Sequence, residues 1–256
     1  LNTVIFCPED LQLIKGSPSG RRRFLDMEIS QTSATYYHQL IQYNRLLQQR
    51  NALLKEYRGK QSIPLDEWDL QLADMASFIV KKRLESLKKI NLLIDLMNRK
   101  LTGGLENLTI GYEQSYIEDG SLEYTKEGFY ERIKAALPLD RHRLTTSVGP
   151  HRDDLRFFSD GMDLKKFGSQ GQQRTAVLSL KLSELEFIKS EVGEYPVLLL
   201  DDVLSELDES RRANLLQFIH KRIQTFITTT DIHDFQDLKS VQFIHCEGGQ
   251  IQYGKP

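Results

Sequence analysis

The sequence predicts an α/β fold built on a parallel sheet, with a pair of long helices inserted into it. Three observations carry that reading. Strand, helix, strand, helix and strand alternate through the second half of the chain, the pattern of a sheet with helical crossovers. Strand-like segments lie on both sides of a stretch of about seventy residues that reads only as helix. The 256 residues are 39% hydrophobic and 27% charged, which suits a globular chain of one or two domains able to bury a core. With 34 Lys and Arg against 36 Asp and Glu, the net charge of −2 excludes a wholly basic nucleic-acid coat but leaves room for a local basic patch. No apolar run reaches the roughly 18 residues of a membrane span, and residues 1–6 lack the basic flank and cleavage site of a secretory signal. Cys7 and Cys246 make neither a disulfide framework nor a zinc site, so a cytoplasmic protein with no membrane association is expected. The chain has no initiator Met and opens in an apolar run, so a piece of a longer protein is expected.

Residues 1–6, apolar and β-branched, read as a short buried strand closed by Cys7-Pro8-Glu9-Asp10. After the loop Gly16-Ser17-Pro18-Ser19-Gly20, Tyr36, Leu40, Tyr43, Leu47, Leu54 and Tyr57 recur at helical spacing, with Arg50 in the one polar slot of that seam. Gly59 to Pro64 breaks the pattern, and Asp66 is a credible cap for a second helix. That helix carries Val80, Leu87, Ile90, Ile94, Met97 and Leu101 in its seam and ends at Gly103-Gly104. Two narrow seams with a short break predict an antiparallel pair, and its length favours a protruding arm over an ordinary bundle. Strands are then expected at Leu108–Tyr112, Thr145–Val148 and Leu155–Phe158. A helix follows Gly171, a buried strand occupies Val197–Leu200, a helix starts near Glu209, and a strand covers Phe226–Thr229. Val241–Ile244 and Gln250–Tyr253 read as edge strands.

The most specific local signal is Val197-Leu198-Leu199-Leu200-Asp201-Asp202, a buried strand that delivers two acids at its C-terminal end, where open α/β sheets bind ligands. In phosphate chemistry the first acid holds Mg²⁺ and the second orients or deprotonates water. An apolar run followed by two acids is otherwise only a strand entering a turn. Ser205-Glu206-Leu207-Asp208 follows at once, and Asp208 can cap the helix carrying Arg211 and Arg212. Upstream, Gly168-Ser169-Gln170-Gly171-Gln172 is a small-residue turn entering a helix, whose amides, dipole and Ser169 hydroxyl suit an anion. Such a turn is by itself often only a cap; the two segments in this order are more specific.

Together these segments resemble the second half of an ABC-type ATPase head, with Ser169–Gln172 similar to the signature motif, Asp201-Asp202 to the Walker B acids and Ser205–Asp208 to the D-loop. Three stretches narrow the resemblance to the RecF family of bacterial recombination mediators. They are Pro8-Glu9-Asp10-Leu11-Gln12-Leu13-Ile14-Lys15-Gly16-Ser17-Pro18 with Arg21-Arg22-Arg23-Phe24-Leu25-Asp26, then Gly149-Pro150-His151-Arg152-Asp153-Asp154-Leu155, and Leu199 through Arg212. The resemblance implies a P-loop NTPase head, with residues 1–30 in the head, 31–104 as a helical arm and 105–256 as the C-terminal half of the head. It also implies a cytoplasmic protein that binds ATP and Mg²⁺, forms a homodimer on ATP and hydrolyses it slowly. Such a protein binds double- and single-stranded DNA and gaps. With RecO and RecR it helps load RecA, which supports repair, replication restart and SOS induction. ATP is then sandwiched between protomers, with Ser169, Gln170, Gly171 and Gln172, together with Ser205 and Asp208, facing nucleotide, Asp201 in the Mg²⁺ shell and Asp202 as the catalytic acid.

The chain departs from that pattern in places. No Gly-x-x-x-x-Gly-Lys-Ser/Thr string occurs; Gly59-Lys60 and Gly254-Lys255 lack both the leading Gly and the hydroxyl residue. The expectation is a head without its P-loop part, inactive alone as an ATPase. Pro8-Glu9 stands near the Q-loop place without a Gln, and no residue near Thr230-Asp231 or His233 takes the switch-histidine role. Among the basic clusters, Lys81, Lys82, Lys88 and Lys89 on the second arm helix are the expected DNA contacts, while Arg21-Arg22-Arg23 is equally suited to pairing with Asp26 and nearby acids. Trp68 is expected as a packing residue. Two rival readings stay open at this point: a DNA- or RecR-binding module without nucleotide chemistry, and an unrelated phosphohydrolase with its metal on Asp201-Asp202.

Overall fold

The computed structural model describes residues 1–60, 62, 64–104, 106–114, 124–230, 235 and 241–254. Thr-Val-Ile-Phe, β-branched and aromatic without a turn former, makes β1 (Thr3–Phe6). Pro8 opens a 3-10 turn (Pro8–Leu11) that runs into α1 (Gln12–Lys15). Pro18 sits in the first turn of α2 (Pro18–Thr32), where its missing N–H costs nothing. Ser33 then interrupts the helical run, and its hydroxyl accepts the Tyr36 amide to start α3 (Ala34–Glu56). The 37-residue α4 (Asp66–Thr102) ends on Gly103, whose φ of 69° lets its amide reach the Arg99 carbonyl. There follow β2 (Leu108–Glu113), α5 (Lys126–Ala135), α6 (Leu137–Arg143), a 3-10 turn (Pro150–Arg152), β3 (Asp154–Ser159), β4 (Met162–Asp163) and α7 (Leu164–Phe167). The chain continues through α8 (Gln170–Val192), β5 (Val197–Asp201), α9 (Glu209–Ile219), β6 (Thr225–Thr228), β7 (Phe243–Glu247) and β8 (Gln250–Gly254).

The parallel sheet has the order β1-β5-β6, with Phe6 opposite Leu200 and Leu200 opposite Ile227. Side chains alternate across it. Val4, Phe6, Leu198 and Leu200 are buried in the core, while Ile5 and Phe226 on the other face are each 53% exposed. A separate antiparallel sheet, β2-β3-β4, and a β7-β8 hairpin complete the strands among the described residues. The helices α3 and α4 run antiparallel, since Arg50 near the end of α3 meets Asp69 at the start of α4 and Tyr36 at the start of α3 meets Arg83. Before Arg83, α4 packs on α5, with Asp66 reaching Lys134 and Ser77 the Tyr124 carbonyl; beyond Arg83 it packs on α8 and β2, and Ile90, Ile94 and Met97 join one continuous core. Its polar side chains occupy the free edge of β2. Asn91 exchanges two hydrogen bonds with Ile110 (2.7 and 2.9 Å), and Asp95 accepts the Leu108 amide. A strand edge covered in this way cannot pair with another chain.

Several expectations change. Thr145–Val148 is a loop after α6 rather than a strand, because side chains take its backbone: Asn51 accepts the Thr146 amide and Asp140 the Ser147 amide. Leu65 rather than Asp66 stands at the N-cap of α4, and Asp66, Glu67 and Asp69 favour the helix start through its dipole. The strand expected at Val241–Ile244 is displaced to Phe243–Glu247. Leu108–Tyr112 and Leu155–Phe158 are strands, but they pair antiparallel outside the parallel sheet. Trp68 is half-buried in the first turn of α4, and Cys7 and Cys246 are free thiols. Gln61 and Ile63 in the interhelical break lie outside the described residues. Among the described residues no helix is long and apolar enough to cross a membrane.

Candidate nucleotide site

The parallel sheet sets the two acids. Asp201 is the last residue of β5 and is exposed; its carboxylate accepts the Thr228 hydroxyl at 2.6 Å from the neighbouring end of β6. Thr228 also accepts the Asp202 amide at 3.0 Å, so one hydroxyl bridges both acids. Asp202 is exposed and adopts φ of 52°, a left-handed conformation rare outside glycine that turns its side chain off the line of the strand. Ser205 donates to the Asp202 carbonyl at 2.7 Å, closing the turn. Asp208 accepts the Arg211 amide and caps α9, as its spacing predicts. Leu204 and Leu207 between them are buried and anchor the segment. Pro8 and Glu9 follow the C-terminal end of β1, which pairs with β5, and so share this edge of the sheet.

The second half lies at the start of α8. Ser169 and Gln172 form a reciprocal capping box: the Ser169 hydroxyl accepts the Gln172 amide and the Gln172 side chain accepts the Ser169 amide. The amides of Gln170 and Gly171, the first two of the helix, take no part in the box, and the hydroxyl proton of Ser169 is still available. Gln172 is further fixed by donating to Glu106 at 3.1 Å. Ser169 and Gln170 are exposed, and Phe167 just before them is 68% exposed. The acids and this turn therefore rest on different neighbours, Thr228 for one and Glu106 for the other.

Sequence reasoning gave Gly149–Leu155 no role. The structure makes it a junction centred on Arg83 of α4, which is buried. Arg83 grips Asp26 of α2 with two bonds of 2.9 Å and donates to the Pro150 carbonyl at 2.7 Å and to the Tyr112 hydroxyl. Tyr112 in turn donates to Asp153. Arg21 forms a bidentate pair with Asp154, and Arg22 donates to the Asp153 carbonyl, so this triplet does not pair with Asp26. His151 sits between the Tyr43 hydroxyl at Nδ1 and the Thr146 carbonyl at Nε2, which makes it the neutral Nε2–H tautomer. Burial, with the cations of Arg152, Arg22 and Arg83 close by, holds its pKa down at about 4. The signal in the sequence was the Gly-Pro pair. Gly149 has φ of 131°, and a Cβ there would run into the Tyr43 hydroxyl.

Among the described residues no three His, Cys, Asp or Glu side chains converge on a metal position. Mg²⁺ needs only one or two carboxylates beside water and phosphate, and Asp201 fits that role with one oxygen engaged by Thr228 and the side chain exposed. Lys81 and Lys88 are exposed on α4, Lys82 pairs with Glu85 and Lys89 with Glu191. Asp231, His233 and Lys255 lie outside the described residues.

No family model matches the chain. It is 50% identical over 241 residues to the DNA replication and repair protein RecF of Alkaliphilus oremlandii, covering 93% of this chain and 66% of that protein. It is 48% identical over 259 aligned residues to the RecF protein of Halothermothrix orenii, covering 98% of this chain and 69% of that protein. A solved structure described as the recombination mediator protein RecF with ATP in the RecFOR pathway superposes with a TM-score of 0.88 at 38% identity, over 99% of this chain and 67% of that one. The chain spans about two thirds of the length of the relatives it matches.

Proposed function

Because this chain belongs to the RecF family of DNA replication and repair proteins, with the fold of an ABC-type ATPase head, we propose that it forms half of an ATP sandwich that closes on DNA. One observation carries the proposal: the groups suited to phosphate chemistry are divided between the β5 edge and the start of α8, and each rests on its own neighbours. Two copies meeting face to face bring the turn of one onto nucleotide held at the acids of the other. Bound Mg²⁺ supplies charge neutralisation at the phosphates. Asp201 would hold that ion, and Asp202 would accept a proton from the attacking water. The Gln170 and Gly171 amides and the Ser169 hydroxyl donate to the γ-phosphate from across the interface, where Gln172 holds the turn in shape. Ser205 and Asp208 fix the segment after the acids against the partner. The exposed ring of Phe167 beside the turn suits burial in such a contact.

ATP-driven pairing then acts as the switch for DNA binding, with Lys81, Lys82, Lys88 and Lys89 as phosphate contacts. In the wider reading the closed dimer engages RecR at DNA gaps, and with RecO promotes RecA loading. The test uses a full-length family member carrying these residues. Ser169→Arg leaves ATP binding by each protomer intact but abolishes ATP-dependent dimers in analytical ultracentrifugation; a normal dimer would falsify the sandwich. Asp202→Asn keeps ATP binding and lowers turnover about a hundredfold or more, trapping the dimer. Unchanged turnover in a phosphate-release assay removes the role given to Asp202.

A further inference from the structure

A cavity of about 470 Å³ opens between α2, α3 and the Gly149–Asp154 turn, sharing no lining residue with either half of the nucleotide site. Arg22, Arg23 and Arg83 line it together with a single carboxylate, Asp26. That carboxylate is fully engaged. Arg83 grips it with two bonds and the Tyr36 hydroxyl donates a third at 2.5 Å, so Arg83 and Asp26 cancel as a pair. Of the acids behind the wall, Asp154 pairs with Arg21, while Asp153 accepts the Tyr112 hydroxyl and keeps its charge 3.7 Å from Arg83. His151, on the wall, is neutral. The cations of the lining that hold no ion pair among the described residues are Arg22 and Arg23.

Neither of these has a carboxylate of its own. Arg22 donates one N–H to the Asp153 carbonyl, which leaves most of its five donors unused, and its half-buried cation is disfavoured by burial and by Arg83 beside it, against the pull of Asp154, Asp153 and Asp26. Arg23 is exposed and makes no ion pair among the described residues. Two guanidinium groups in a concave, partly desolvated site match the oxygens of a phosphate better than they match water. At the same cavity the ring of Tyr37 is 50% exposed, a flat surface on which a base can stack. We propose that this cavity binds a phosphate group through Arg22 and Arg23, presented by a nucleic-acid strand whose neighbouring base lies on Tyr37 or by a free nucleotide.

The proposal goes beyond the ATP sandwich and uses none of its residues, so the two fail separately. The test titrates this chain with a fluorescein-labelled 12-nucleotide single strand, and separately with inorganic pyrophosphate, in EDTA so that no Mg²⁺ bridges phosphate to Asp201. Arg23→Ala, at an exposed and unpaired position, folds normally by circular dichroism and weakens pyrophosphate binding about tenfold. Arg22→Gln does the same, which guards against an effect peculiar to one site. If the strand is the ligand, Arg23→Ala also weakens the oligonucleotide about tenfold and lowers its salt slope by about one, and Tyr37→Ala weakens the oligonucleotide alone. If free nucleotide is the ligand, pyrophosphate and ATP lose affinity while the oligonucleotide does not. Wild-type affinity of both arginine variants for both probes overturns the proposal.

Discussion

Gly149 shows what one residue decides. At φ of 131° the backbone occupies a region that side chains avoid, and the space a Cβ would need is filled by the Tyr43 hydroxyl. Gly149→Ala therefore costs on the order of 1–3 kcal/mol in urea denaturation and displaces the Tyr43–His151 contact. A loss below a few tenths of a kcal/mol would mean the turn relaxes freely. Asp202 is a non-glycine residue with φ of 52°, and its backbone N–H and carbonyl are both held, by Thr228 and Ser205. The chemistry at both positions was legible as residue types. Neither backbone angle was, because it is imposed by neighbours distant in sequence, Thr228 for Asp202 and Tyr43 for Gly149.

Between elements, buried ion clusters do the joining. The polar slot of the α3 seam, Arg50, is fully buried and bonds Asp69 of α4 and Asp140 of α6 at 2.6 Å each and Thr146 at 2.9 Å. Three elements thus share one guanidinium. Arg50→Met leaves two buried carboxylates without their cation and costs about 3–5 kcal/mol; adding Asp69→Asn and Asp140→Asn recovers a large part of that loss in the same denaturation assay. No recovery would assign the loss to packing around the side chain instead. The periodicity of both seams was readable from the sequence, since a helix repeats every 3.6 residues whatever it packs against. The break at Ser33, the loop at Thr145–Val148 and the antiparallel pairing of β2 with β3 were not, because they depend on which partner satisfies each backbone group.

Across the whole molecule, buried titratable groups make stability depend on pH in two opposing ways. His151 is held at about 4 against an ordinary value of 6.5, so as pH falls below 6.5 the unfolded chain takes up a proton that the fold refuses. Stability falls by about 3 kcal/mol between pH 6.5 and pH 4 through this group, and His151→Gln flattens that limb. Glu28 has the reverse sign. Burial raises its pKa, with Lys181 opposing, and Glu184 and Asp10 crowd the same lysine. The fold keeps its proton above the ordinary carboxylate range while the unfolded chain releases it, so this contribution is lost as pH rises. Glu28→Gln gains melting temperature relative to wild type at pH 8 and little at pH 5; equal shifts at both values would remove Glu28 from the account.

The sequence by itself determined the α/β class, the helical pair, the acids at the end of β5 and the family, because each of these is written in local spacing or in contiguous residues. The tertiary structure alone decided that Arg83, Asp26 and the Gly149–Asp154 turn form one junction, and that Arg22 and Arg23 face a cavity instead of the acids beside them in sequence. The physical reason is that a cation in a folded chain goes to whichever carboxylate burial leaves within reach, here Asp154 for Arg21 and Asp26 for Arg83 across 133 and 57 residues of chain, and no local pattern records that choice.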